Sequence, residues 1–224
     1  MLLNVQKPGL SFAATKRDWL KRFNVEPKLH ARPLVILRNF GPVEFVYDVL
    51  DIEPALPPDV YTFPAKGELP LGWIDAAVKK LHFNRIYVLA ADHGDYRAGE
   101  VEMIEDYGDP TQKNEFKLVL NANHPEPVKF VTLMHELAHI YLGHCGEDEK
   151  RGIKSRQHVD KDLREVEAES VAYVISKRSG IAPKSERYLD TYKVALDRLD
   201  IHAVLQVAGQ IERSLGLPLE IWPM

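Results

Sequence analysis

The run "FVTLMHELAHIYLGH", Phe130 to His144, constrains this chain more than any other stretch. Phe130, Leu133, Met134, Leu137, Ala138 and Tyr141 recur at helical spacing and surround a polar trio, His135, Glu136 and His139. Such a helix is expected to be buried against a sheet while it presents the trio to a cleft. Buried polar side chains need partners, and ionised ones need a counter-charge or a metal. Four residues apart on a helix, His135 and His139 differ by about 40° in direction, so both imidazoles reach one ion, while Glu136 points to the neighbouring face. His-Glu-x-x-His on a helix suits zinc, with the glutamate taking a proton from the metal-bound water, whose pKa the ion lowers toward about 7. His135 and His139 are the expected metal ligands and Glu136 the expected general base.

Two histidines leave a catalytic zinc short of one protein ligand. The segment "DKDLREVEAESVAYVISKRSG" offers Glu165, Glu167 and Glu169 in a helix that is otherwise largely apolar from Val166 to Ile175. Glu165 and Glu169 share a side of that helix, and Glu167 points about 160–200° away from both. Glu165 is the expected third ligand, with Glu167 as the alternative. Glu169 is then the expected acceptor that holds a ligand histidine by its other ring nitrogen.

Other polar candidates have plainer expectations. His144 lies five residues beyond His139, about 140° off the ligand face of a continuing helix, and is expected beside the helix C-terminus or in solvent. Cys145 is expected to be a free thiol. His158, in the charged loop "CGEDEKRGIKSRQHVDKDL", is expected to be solvated; the alternative is a loop that covers the cleft, with His158 polarising a scissile carbonyl. Tyr188 and Tyr192, one turn apart, are expected to pack in a core.

Ahead of the central helix, "RPLVILRNF" and "PVEFVYDVLDI" read as two strands joined at Gly41-Pro42. The stretch "PALPPDVYTFPAKGELPLG" holds Pro54, Pro57, Pro58, Pro64 and Pro70, too many for a helix or a central strand. It predicts three parts: residues 1–55 with a helix and a strand pair, a connector over 56–72, and a domain over 73–224. In that domain "WIDAAVKKLHF" reads as a helix, and "RIYVLAAD", "GEVEMIEDYG" and "EFKLVLNAN" as strands. Helices are expected near 126–144, 161–178, 185–199 and 201–215. Strands before helices predict an α+β fold, with a small mixed or antiparallel sheet packed on the central helix and a helical C-terminal part.

With 224 residues, 45% of them hydrophobic, the chain can bury a sizeable core. No apolar stretch approaches the roughly 20 residues of a membrane helix, and the N-terminus lacks the order of a signal peptide, so a cytoplasmic protein without membrane partners is expected. A single cysteine agrees with that compartment. The net charge of −4 argues against a generic nucleic-acid binder, although residues 1–40 carry eight Lys/Arg against Asp18 and Glu26, a balance of +6 that leaves −10 for the rest. The plainer reading of Lys16, Arg17, Lys21 and Arg22 is the solvated face of an amphipathic helix whose apolar side is Phe12, Trp19, Leu20 and Phe23.

"FKLVLNANHPEPVKFVTLMHELAHIYLGH" followed by "REVEAESVAYVI" resembles the ImmA/IrrE family of zinc metallo-endopeptidases over roughly residues 115–178. "ARPLVILRNFGPVEFVYDVLDIE" is similar to the segment before the protease domain in ArdC-like antirestriction proteins. The resemblance implies a zincin-like metalloprotease fold, one zinc per chain, a peptide aligned along the edge strand "EFKLVLN" and, for some members, cleavage of a helix-turn-helix repressor in stress or mobile-element control. Two departures stand out. Glu169 occupies a place where many members carry Asn or Asp, and "VISKRSGIAP" replaces the usual Leu-Met-Pro tail. Two functions of different class follow: a zinc-dependent endopeptidase, or a non-catalytic, antirestriction-type protein with an inert zinc site that binds a protein or a nucleic acid. A catalytic zinc keeps an open position and a structural one is closed by a fourth protein ligand, which Cys145, His144 or His158 would have to supply.

Overall fold

The computed structural model of the chain describes residues 2–8, 10, 12–37, 43–56, 65–92, 98–183 and 198–217. The chain divides into two units, Met1–Thr62 and Phe63–Met224, and is α+β in composition.

In the first unit, α1 (Leu2–Gln6) precedes β1 (Ala13–Ala14), α2 (Lys16–Phe23), β2 (Glu26–Pro27), β3 (Leu34–Ile36), β4 (Glu44–Asp48) and β5 (Ile52–Glu53). β4 lies between β1 and β3, antiparallel to both, and β2 pairs with β5. Thr15 caps α2: its hydroxyl accepts from the Asp18 N–H at 3.1 Å and donates to the Asp18 carboxylate at 2.7 Å. The helix buries Trp19 completely, edge-on to Phe12 at 5.2 Å between ring centroids, and the indole N–H donates to the Tyr47 carbonyl at 3.0 Å. Lys16, Arg17 and Lys21 face solvent as an amphipathic helix requires. Leu20, expected on the apolar side, is instead exposed, because it sits about 100° round the helix from Trp19. The expected turn at Gly41-Pro42 lies outside the described residues.

In the second unit, β6 (Ala65–Lys66) and α3 (Trp73–Phe83) lead to a sheet of β7 (Ile86–Ala91), β8 (Gly99–Glu105) and β9 (Glu115–Asn121). Then come α4 (Glu126–Tyr141), α5 (Lys161–Arg178), β10 (Ala182–Pro183) and α6 (Ile201–Leu215). The sheet is mixed: β7 runs parallel to β9 and β8 antiparallel to it. β9 is therefore the central strand. This corrects the expectation that "EFKLVLN" is an edge to which a peptide adds, because its hydrogen-bonding groups are already engaged on both sides. Among the described residues the outer strand of the sheet beside α4 is β8.

α4 packs between sheet and helices. Phe130, Leu133, Met134, Leu137, Ala138 and Ile140 join Phe116, Leu118 and Leu120 of β9, Ala168, Val171, Ala172 and Ile175 of α5, and Val204 and Ile211 of α6 in one core. The helix ends at Tyr141, three residues before the expected limit, where Gly143 takes the left-handed conformation (φ 76°). The helix expected near 185–199, with Tyr188 and Tyr192, lies outside the described residues. No helix among the described residues is long and apolar enough to cross a membrane.

The segment between α4 and α5 is fastened rather than loose. The buried Asp148 carboxylate accepts from the Asn114 N–H at 3.1 Å and the Arg151 N–H at 2.9 Å, and pairs with the Arg151 guanidinium. Asp148 and Ile153 exchange two backbone hydrogen bonds of 2.9 Å, and Ile153 is buried in the main core.

Candidate metal centre

α4 starts with Pro127 in its first turn, where a missing N–H leaves no helical bond unmade, and runs unbroken through the polar trio. α5 is capped by Asp160, whose carboxylate accepts from the Leu163 N–H at 3.0 Å, and Ala168, Val171, Ala172 and Ile175 bury its inner side in the core shared with α4. The two helices bring His135, His139 and Glu165 together: one donor atom from each lies within 4.8 Å of the others, and among the described residues this is the group of His, Cys, Asp or Glu side chains able to hold an ion. The Nε2 atoms of His135 and His139 are 3.1 Å apart, and Glu165 Oε2 is 3.6 Å from His135 Nε2. The His135 and Glu165 side chains keep 16% and 22% of their surface open, so the group borders solvent.

The carboxylates around His135 decide where charge sits. Burial disfavours the imidazolium, but the contacts with Glu165 and Glu169 outweigh it and push the His135 pKa up to about 10. Burial, reinforced by the charge on His135, drives His139 down to about 3. Glu165, opposed by its own burial, is pulled down to about 2 by His135.

Around this group, Glu169 Oε2 lies 3.0 Å from His135 Nδ1. Glu167 turns away, as its place on the helix requires, and is buried against His144 Nε2 at 3.0 Å. His144 itself is buried, with Nδ1 2.9 Å from His139 Nδ1, rather than solvated. Helical extrapolation misplaced it because the chain leaves the helix at Gly143. The readable signal was that glycine: Gly after an apolar helix marks a left-handed end, beyond which angles of 100° per residue no longer apply.

Glu136 is buried on the side of α4 that meets β8. There the backbone passes so close that a Cβ at Gly99 would stand 2.6 Å from Thr132 Cγ2 and 3.3 Å from Glu136 Cγ. Cys145 is a free, partly buried thiol whose pKa burial pushes up to about 12, and His158 is exposed.

Residues 100–206 match the family model of the IrrE N-terminal-like domain, a peptidase family. The whole of this match lies in the second unit. The matched stretch spans β8, β9, α4 and α5 and contains all three donors, Glu136, His144, Glu167 and Glu169. No curated protein matches the chain. Among solved structures, the chain is similar to the metal-free antirestriction ArdC protein from the R388 plasmid, with 14% identity, 96% of this chain and 79% of that one covered, and a TM-score of 0.36. For the Mn(II)-bound structure of the same ArdC protein the figures are 13%, 96%, 81% and 0.33.

Proposed function

We propose that the chain is a zinc-dependent endopeptidase of zincin-like fold in which His135, His139 and Glu165 hold one ion and Glu136 is the general base. The observation that carries this reading is the convergence of the three donor atoms within 4.8 Å, on the helix that bears Glu136, inside a domain of a peptidase family. Two imidazoles and a carboxylate form a donor set that fits zinc, and both histidines have a partner on the other ring nitrogen, as metal-bound histidines do. When bound, the ion supplies Lewis acidity: it lowers the pKa of water at an open position toward about 7 and polarises the scissile carbonyl. Among the described residues no fourth protein donor joins the group, which favours an open site over a closed structural one.

Glu136 accepts a proton from the attacking water and returns it to the departing amine. The Cγ of Glu136 lies beside Gly99 at the start of β8, and a substrate peptide adds to the outer edge of β8 as an extended strand. A helix-turn-helix repressor in the cytoplasm is the substrate class we favour, on the family resemblance of the HELAH and EVEAES segments.

Glu136→Gln tests the reading. The amide keeps the shape of the side chain and cannot take the proton, so zinc content stays at one per chain while cleavage of a protein substrate falls by about 10²–10⁴-fold. Loss of zinc would make Glu136 a ligand, and full activity would give the base to another group.

A further inference from the structure

At the end of α4 the His144 N–H donates to the His139 carbonyl at 2.9 Å and the Gly143 N–H to the Ile140 carbonyl at 3.0 Å, a Schellman reversal. Only glycine fits there, because a Cβ on residue 143 would lie 2.0 Å from the Lys154 carbonyl oxygen. The reversal lays the His144 ring back on the His139 ring, with centroids 5.0 Å apart. Beyond it stand Glu167, whose Oε2 meets His144 Nε2 at 3.0 Å, and Arg156, which donates to Glu167 Oε1 at 2.7 Å. The side chains of His144 and Glu167 keep only 1% and 2% of their surface, so their polar atoms depend on these contacts.

With His144 neutral, counting protons along the row leaves one arrangement. Glu167, held ionised by Arg156, only accepts, so His144 Nε2 carries a proton. A neutral His144 then has its lone pair on Nδ1, facing His139 Nδ1 at 2.9 Å. That contact needs one proton, which His139 Nδ1 must carry, and the His139 lone pair is left on Nε2, 3.1 Å from His135 Nε2 where the donors converge. Glu169 stands to His135 as His144 stands to His139, accepting from the His135 Nδ1 at 3.0 Å. We propose that His144, oriented by Glu167 and Arg156, is a positioning residue that fixes His139 in the tautomer with Nε2 free for the metal. The inference rests on the zinc-site reading given above.

The test uses the full chain, with zinc ion as the probe, and reads two quantities: zinc affinity by chelator competition, and ring-nitrogen shifts of His139 in the zinc-free protein by ¹H–¹⁵N NMR. His144→Phe fills the space without an acceptor, so His139 populates both tautomers and zinc binds about 10- to 100-fold more weakly. In Glu167→Gln the amide oxygen must face Arg156, so the NH₂ group faces His144 and the row reverses. His139 then carries its proton on Nε2, and zinc affinity drops by a similar factor although size and packing are unchanged. His144→Gln restores both readouts, since its amide can accept from His139 and donate to Glu167. Wild-type tautomer and zinc affinity within twofold of wild type in His144→Phe would overturn the inference, and an unreversed His139 in Glu167→Gln would do the same even if His144→Phe fails to fold. Retention of one zinc per chain by His139→Ala would instead overturn the zinc site itself.

Discussion

At the scale of single residues, Glu165 and Glu167 have the same chemistry and stand two places apart, yet the helix sends them to different tasks. One oxygen of Glu165 lies among the donor atoms, and Glu167 sits behind His144. Glu165→Gln is therefore expected to leave the chain folded but short of a charged ligand, with less than one zinc bound at zinc concentrations that saturate the unaltered chain; equilibrium dialysis with metal analysis reads the difference. Full occupancy in Glu165→Gln under those conditions would mean that Glu165 is not a ligand. The convergence of His135, His139 and Glu165, with Glu169 behind His135, was legible from the sequence because each lies inside a helix, where a spacing of four fixes relative direction. His144 was not, because a single left-handed residue stands between it and the helix, and where the chain turns next depends on the Lys154 backbone that meets Gly143.

At the scale of elements, the strands were legible and their order was not. Phe116, Leu118, Val119 and Leu120 are all buried in β9, a near-continuous apolar run that marks a strand covered on both faces, whereas β8 alternates Glu100 and Glu102 with Val101 and Met103. That contrast points to a central β9 and an outer β8, but pairing between strands distant in sequence is set by the whole core rather than by either strand alone. The consequence is concentrated at Gly99. A Cβ there would meet the Val119 carbonyl oxygen at 2.9 Å as well as the Thr132 methyl, so Gly99→Ala has to push β8 away from α4. We expect a loss of about 1–3 kcal/mol of stability from overpacking, read by thermal or urea unfolding, together with slower cleavage and unchanged zinc stoichiometry. Wild-type cleavage in a variant that is measurably destabilised would separate β8 from substrate binding.

For the whole molecule, two units with separate buried clusters come from one chain, and the donors of the centre all belong to the second. The donors come from two helices, so an ion there ties α4 to α5 and stabilises the folded chain by mass action, by about 2.7 kcal/mol when free zinc stands at 100 times its dissociation constant. Calorimetry with zinc and with a chelator is expected to show a higher melting temperature for the loaded protein, and His139→Ala is expected to erase the difference; a chelator-insensitive wild type would argue against a bound metal. The segment that joins the two helices gives this coupling a kinetic side. Arg151 and Asp148 stitch it to Asn114, the Arg156 N–H donates to the Gly143 carbonyl at 2.8 Å, and Arg156 also grips Glu167. Freeing it would orphan several buried donors and acceptors, at about 1–3 kcal/mol each, so it does not swing as a gate. An ion held at the proposed centre is therefore expected to escape by local unfolding of this seam, with a lifetime that follows the rate at which the seam comes undone.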